Sequence, residues 1–230
     1  MKELDTTVTA NNSKELELES TIFYPTGGGE PCDNGTISSN GKNYNVIDVR
    51  KEGDRVIHTL DAEPELQIGD QVHCVIDWNR RYTYMRHHTG IHVVAGIMEQ
   101  KYSAMFTGGQ IGLEKSRFDF DMPQLNRELA EQIINESQKI IDKHLNVTAK
   151  VISKDEALKI PNLARTEPGR KLLESLSMIR VVDIEGFDVQ MDGGTHVKNT
   201  SEIGKLLLTN FENKGTHRKR IEIAVSGNQP

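Results

Sequence analysis

The apolar period of this chain first changes at Asp77-Trp78, from strand-like to helical, and that change points to a β unit followed by a mixed one. Before it, Val72, Cys74 and Ile76 alternate with Gln71, His73 and Val75, the period of two of a half-buried strand. Residues 56–60 read as another strand. Asn40-Gly41, flanked by Thr36-Ile37 and Tyr44-Asn45-Val46, is a two-residue hairpin signal, because both turn positions need positive φ. After Trp78, Ile91, Val94, Ala95 and Met98 recur at helical spacing. A second helix is expected from Asp121-Met122-Pro123, with Asp as cap and Pro in the first turn, through Leu125, Leu129, Ile133 and Ile140. Ser153 with Glu156 is a capping box opening a short helix through Leu158, which Pro161 would end, and Pro168-Gly169 marks a turn. Strands return at residues 179–184 and 187–191 across Glu185-Gly186, and residues 206–211 pair with 220–225 in a last hairpin. The expected class is α+β, with a β-rich domain at residues 1–78 and a helix-plus-antiparallel-sheet domain at 79–230.

Composition narrows the function. No run of about 18 apolar residues occurs, and Met1-Lys2-Glu3-Leu4-Asp5 lacks the layout of a secretory signal, so a cytoplasmic protein with no membrane role is expected. Cys32 and Cys74 have no metal spacing and read as free thiols. A net charge of -6 argues against indiscriminate nucleic-acid binding, and no DNA partner is expected. Two basic clusters stand against that total: Arg80, Arg81 and Arg86, and then Lys214, His217, Arg218, Lys219 and Arg220. By charge alone each reads as a solvated face.

Two distant stretches look like halves of one metal site: His88-Thr89-Gly90-Ile91-His92 and Asp192-Gly193-Gly194-Thr195-His196. His88 and His92, four apart on a helix, share a face, and Asp192 and His196 bracket a glycine turn at a strand end. Three imidazoles and a carboxylate suit a tetrahedral zinc site. His58, His73, His87 and His144 lack such spacing and read as structural. Zinc proteases carry Glu directly after the first histidine as general base, and Thr89 in that place argues against peptide hydrolysis. A third feature is Phe23-Tyr24-Pro25-Thr26-Gly27-Gly28-Gly29-Glu30-Pro31, a loop that permits close approach of a ligand but lacks the Lys-Ser or Lys-Thr of a phosphate loop.

Taken together, residues 21–29, Asp77-Trp78 with Arg80 and Arg81, His88-Thr89-Gly90-Ile91-His92, and Gly193-Gly194-Thr195-His196-Val197 resemble the alanyl-tRNA editing proteins. These are freestanding relatives of the editing domain of alanyl-tRNA synthetase, and the glycine-rich N-terminal domain is similar to their medium-length class. The resemblance implies a barrel-like N-terminal domain, a zinc-holding editing core, and hydrolysis of the ester joining serine, or secondarily glycine, to the tRNA that accepts alanine. It implies His88, His92 and His196 as zinc ligands, with Asp192 at a fourth position where many relatives have Cys, and it places Glu30 where Gln is common. Thr26 matches the threonine that recognises the serine hydroxyl, and Gly27, Gly28 and Gly29 become a close-approach surface for substrate. Thr26, His88 and His92 are the expected catalytic residues. Zinc would serve either by activating water at an open position or, with four protein ligands, by shaping the pocket. Arg80, Arg81, Arg86, Lys214, Arg218, Lys219 and Arg220 are the expected tRNA contacts. Two alternatives are a zinc-stabilised RNA-binding module without catalysis and a zinc hydrolase of another activated ester.

Overall fold

The computed structural model describes residues 1–227 and divides into two compact units, Met1–Tyr82 and Thr83–Pro230. In the first, β1 (Glu3–Asn12), β2 (Glu15–Leu18), β3 (Gly35–Ser39), β4 (Lys42–Glu52), β5 (Arg55–Leu60) and β6 (Gln71–Ile76) form a closed antiparallel barrel ordered β1-β2-β5-β4-β3-β6. Pairing of Glu3 with Val75 through Thr7 with Gln71 closes it, leaving no sheet edge. The predicted alternation holds: Val72, Cys74 and Ile76 are buried with Val8, Leu16, Phe23, Ile37 and Val49. Asn40 and Gly41, at φ of 50° and 76°, make the two-residue turn between paired Ser39 and Lys42. His58 is fully buried. Its Nδ1 donates to Leu16 O, so Nε2 accepts from the Thr21 hydroxyl, and burial lowers its pKa.

The division falls within α1 (Trp78–Tyr102). The second unit adds β7 (Met105–Gln110), β8 (Ser116–Asp121), α2 (Arg127–Ile141), β9 (Val147–Ser153), α3 (Lys154–Ala157), α4 (Glu167–Ser175), β10 (Met178–Ile184), β11 (Asp188–Met191), β12 (Lys205–Asn213) and β13 (Lys219–Ser226). Two antiparallel sheets result, β12-β13-β8-β7 and β11-β10-β9. The helix touches elements of both. A Cβ at Gly90 would meet Leu206, Ile203 and Ile223, and one at Gly96 would lie 2.8 Å from the Phe187 ring, so only glycine permits that approach. No helix among the described residues is long and apolar enough to cross a membrane.

Several expectations are corrected. α1 is buried on every side from Arg86 to Met98, not along one stripe, because sheet elements flank it. Asp121 remains in β8, paired with Met105, and α2 begins five residues beyond Met122, capped by Asn126, whose side chain accepts from Leu129 N. Its buried face is Ala130, Ile133, Ile134, Ser137 and Ile141. Pro168-Gly169 is the first turn of α4, where proline is pre-organised, with Thr166 as cap. The capping box at Ser153 forms as expected, and α3 ends at Ala157 with Leu158 as its cap.

His87, in α1, is 1% exposed and its Nδ1 lies 2.9 Å from Ser116 Oγ. Burial, with the neighbouring Arg86 charge adding to it, lowers its pKa from 6.5 to about 4. Since the folded value is depressed, its stabilisation is complete above the unfolded pKa and is lost as pH falls through that interval. Unfolding free energy should drop by about 3 kcal/mol from this group between pH 7 and pH 4. Urea titrations across that range would show a shallower pH slope in His87→Gln, and identical slopes would reject the assignment.

Candidate metal centre

The centre is assembled from two directions. α1 stacks His88 and His92 one turn apart, with ring centroids 5.0 Å from each other. β11 ends at Met191, and residues 192–196 bring the His196 ring to 4.3 Å from His88 and 4.5 Å from His92. Asp192 itself closes this turn, its Oδ2 accepting from Gly194 N. Neither Gly193 nor Gly194 has a positive φ, so the expected glycine break is in fact a side-chain turn. Each of the four side chains offers one ligand atom, and these lie within 4.8 Å of one another.

The donor set fits a divalent cation. Zinc bound at about 2.0–2.2 Å to nitrogen and oxygen in a tetrahedron requires ligand atoms about 3.3–3.6 Å apart. Asp192 Oδ1 lies 3.4 Å from His88 Nε2 and 3.8 Å from His92 Nε2, and Oδ2 lies 3.1 Å from His196 Nε2. Protonation states agree with ligation. For Asp192, burial acts to raise the pKa, but the His88 charge and hydrogen bonds from His196, His88 and His92 prevail and hold the carboxyl well below the carboxylate range. Burial lowers the His92 pKa, and burial with the His88 and His92 charges holds that of His196 well below the usual value. Imidazoles at His92 and His196 biased toward the neutral form, beside an ionised Asp192, are what a metal ion needs. The cysteines take no part: Cys32 and Cys74 belong to the barrel, and burial pushes the Cys74 thiol up to about 12.

Around the ligands lie residues that motif reading passed over. Arg180 Nη1 donates to Asp192 O at 2.8 Å, bracing the turn. Gln190 Nε2 donates to His92 O at 3.2 Å and to Asp188 Oδ2, while Asp188 Oδ1 takes a 2.5 Å bond from Arg165. Asp188, Gln190 and Asp192 alternate along β11 and its extension, a period-two signal present in the sequence.

The remaining candidates separate by unit. In the first unit Thr26 is exposed, its N bonded to Val49 O and its Oγ1 accepting from Cys32 N, which leaves the hydroxyl proton uncommitted among the described residues. Gly28 and Gly29, at φ of 58° and 86°, carry the turn between Gly27 and the buried Glu30. Arg81 is engaged by buried Asp33 and by Ile22 O, and Arg80 Nε donates to Cys32 O. In the second unit Arg86, an expected tRNA contact, lies inside the fold. It is 3% exposed, and its guanidinium is spent on Ile203 O and Ser226 O. Lys219 is likewise buried, on Asn213 and Gly215 O. Arg218 and Arg220 share Asp119, and Lys214 pairs with Glu212, so much of the basic turn is locally neutralised.

Comparison with known proteins agrees with this architecture. A family profile described as tRNA synthetases class II (A) matches residues 1–80, and one for the threonyl and alanyl tRNA synthetase second additional domain matches residues 179–222. The alanyl-tRNA editing protein AlaX-M of Saccharolobus solfataricus is 37% identical over 98% of this chain and 94% of its own length. The AlaX-M protein of Methanosarcina barkeri is 36% identical over 96% and 93%. An alanine–tRNA ligase from Ignicoccus hospitalis is 37% identical over 90% of this chain, which corresponds to 23% of the ligase. With its barrel, its paired motifs and these near full-length matches, the chain belongs to the AlaX-M family of alanyl-tRNA editing proteins.

Proposed function

We propose that this protein hydrolyses the ester of mischarged tRNA for alanine, with serine as the main amino acid removed and glycine as a second, at a zinc site formed by His88, His92, Asp192 and His196. The observation that carries the reading is the cluster of three imidazoles and one carboxylate, buried at His88 and His92 and half-buried at Asp192 and His196, in a chain that aligns nearly end to end with editing proteins. When bound, zinc supplies Lewis-acid polarisation or orders the groups around the ester. The chain's own residues do the rest. His88, His92, Asp192 and His196 hold the ion, and Arg180 and Gln190 keep the ligand-bearing segments in place. An aminoacyl ester is activated already, so positioning and charge stabilisation suffice to accelerate its hydrolysis.

Discrimination is assigned to Thr26. Its uncommitted hydroxyl proton offers a bond to the serine hydroxyl, whereas an alanyl ester leaves that partner unpaired. Gly27, Gly28 and Gly29 let substrate approach the backbone. For the tRNA, Arg80, Arg218 and Lys214 are the better-placed phosphate contacts, since Arg86 and Lys219 are buried. Their contribution weakens with salt.

Deacylation of purified Ser-tRNA and Ala-tRNA by wild type, His92→Ala and Thr26→Val tests this reading. Wild type should cleave the seryl ester in preference to the alanyl ester. His92→Ala should lose cleavage about 100-fold or more, and Thr26→Val should reduce the seryl preference about tenfold. If folded, zinc-loaded wild type released neither amino acid, the hydrolase would give way to an RNA-binding module. Equal cleavage of both esters would remove the role given to Thr26.

A further inference from the structure

Thr89 occupies the place where a zinc protease keeps its base, and it is fully buried. Its hydroxyl oxygen has three neighbours. Oγ1 donates to Met85 O one turn back at 2.9 Å, accepts from Val197 N at 3.2 Å, and lies 3.1 Å from His196 Nδ1. A hydroxyl has one hydrogen, and Met85 O takes it. Oγ1 can then only accept from the other two, so the proton between Thr89 and His196 belongs to Nδ1. The opposite nitrogen, Nε2, therefore carries its lone pair toward Asp192 Oδ2, 3.1 Å away. Asp192 Oδ2 and Nε2 at that distance need either a second proton on the ring, as in a hydrogen bond from His196 to Asp192, or a metal ion between them, and the neutral Nδ1–H tautomer presents Nε2 to the ion.

We infer that Thr89 is a positioning residue for the metal centre: it fixes the tautomer and orientation of His196 and ties the second ligand pair to the helix that bears the first. The bond from Val197 N locks the chain directly after His196, and the bond to Nδ1 locks the ring. One side chain, lying between His88 and His92 in sequence, thereby sets the register of both halves of the site. Ligating histidines commonly have the second nitrogen held by an oxygen acceptor, and loss of such a partner weakens metal binding. The helix gains little from Thr89 otherwise, since a β-branched residue bonding back to the preceding turn is a poor helix former. The inference rests on the zinc reading above.

The test is zinc affinity, measured by competition with a chromophoric chelator, for wild type, Thr89→Val and Thr89→Ser, with circular dichroism to establish folding. Thr89→Val keeps the shape and removes the acceptor, so affinity should fall about 10- to 100-fold, while Thr89→Ser should stay close to wild type. The 15N spectrum of zinc-loaded wild type should show His196 protonated at Nδ1 and metal-bound through Nε2. Folded Thr89→Val with wild-type affinity would overturn the inference and leave the zinc site standing. Metal on Nδ1 would overturn it even if Thr89→Val did not fold. Failure of wild type to bind zinc would overturn both this inference and the zinc part of the proposed function.

Discussion

Asp192→Ala is expected to weaken zinc binding at least 100-fold and to carry seryl-tRNA deacylation down with it. Its carboxylate is the only anion among the four ligand candidates and lies within 3.8 Å of all three imidazole nitrogens. Removal leaves three buried rings around a divalent charge, and the Gly194 N bond that shapes the turn is also lost. Asp192→Cys should restore binding, because thiolate is a good zinc ligand, but it cannot rebuild that bond with an oxygen. Metal analysis beside competition titration gives the answer. Unchanged stoichiometry and affinity in Asp192→Ala would remove Asp192 from the ligand set and leave three histidines with an open position.

The second large effect is expected in stability. Arg81→Ala should cost about 3–5 kcal/mol, because it strands a buried carboxyl. Asp33 is 1% exposed, accepts from Arg81 Nε at 2.9 Å, and takes a further bond from Tyr24 N at 2.7 Å. Burial raises the Asp33 pKa even against the adjacent guanidinium, so the pair is held at a desolvation cost that only the complete set of bonds offsets. Arg81 also donates to Ile22 O, which ties both ends of the segment bearing Thr26. Arg81→Lys should recover little, since an ammonium cannot match the two-pronged geometry, whereas adding Asp33→Asn to Arg81→Ala should recover part of the loss. Urea unfolding of the three variants measures this, and a change under about 1 kcal/mol for Arg81→Ala would place Arg81 among ordinary surface cations.

Much of the architecture was legible because its causes are local. Alternation at residues 71–76, the two positive-φ positions at Asn40-Gly41 and the capping box at Ser153 each act within a few residues, and each appears as expected. The helical pair His88 and His92 belongs to the same class, since helical spacing alone puts both on one face. The start of α2 was misplaced because Asp121-Met122-Pro123 carries a legitimate helix-start signal, yet cross-strand pairing with Met105 holds Asp121 in β8. β7 lacks clear alternation, whereas β8 alternates Arg117, Asp119 and Asp121 with the buried Phe118 and Phe120, a period-two cue that outweighs the helix-start signal at its end.

For the site, residue types and spacing were enough to name four ligand candidates, because metal chemistry demands a small set of donors. Which charged residues are free to meet a polyanion was a matter of burial, and burial is set by distant partners. Arg86 reads as a surface cation until Ile203 and Ser226, more than a hundred positions away, claim its guanidinium. Thr89 reads as an absent base until residues 196 and 197 fold onto it. Local periodicity and donor chemistry thus named the elements and the ligands. Only tertiary contact decided which polar groups are spent inside the fold, because hydrogen bonds between remote segments leave no periodic trace in a single chain.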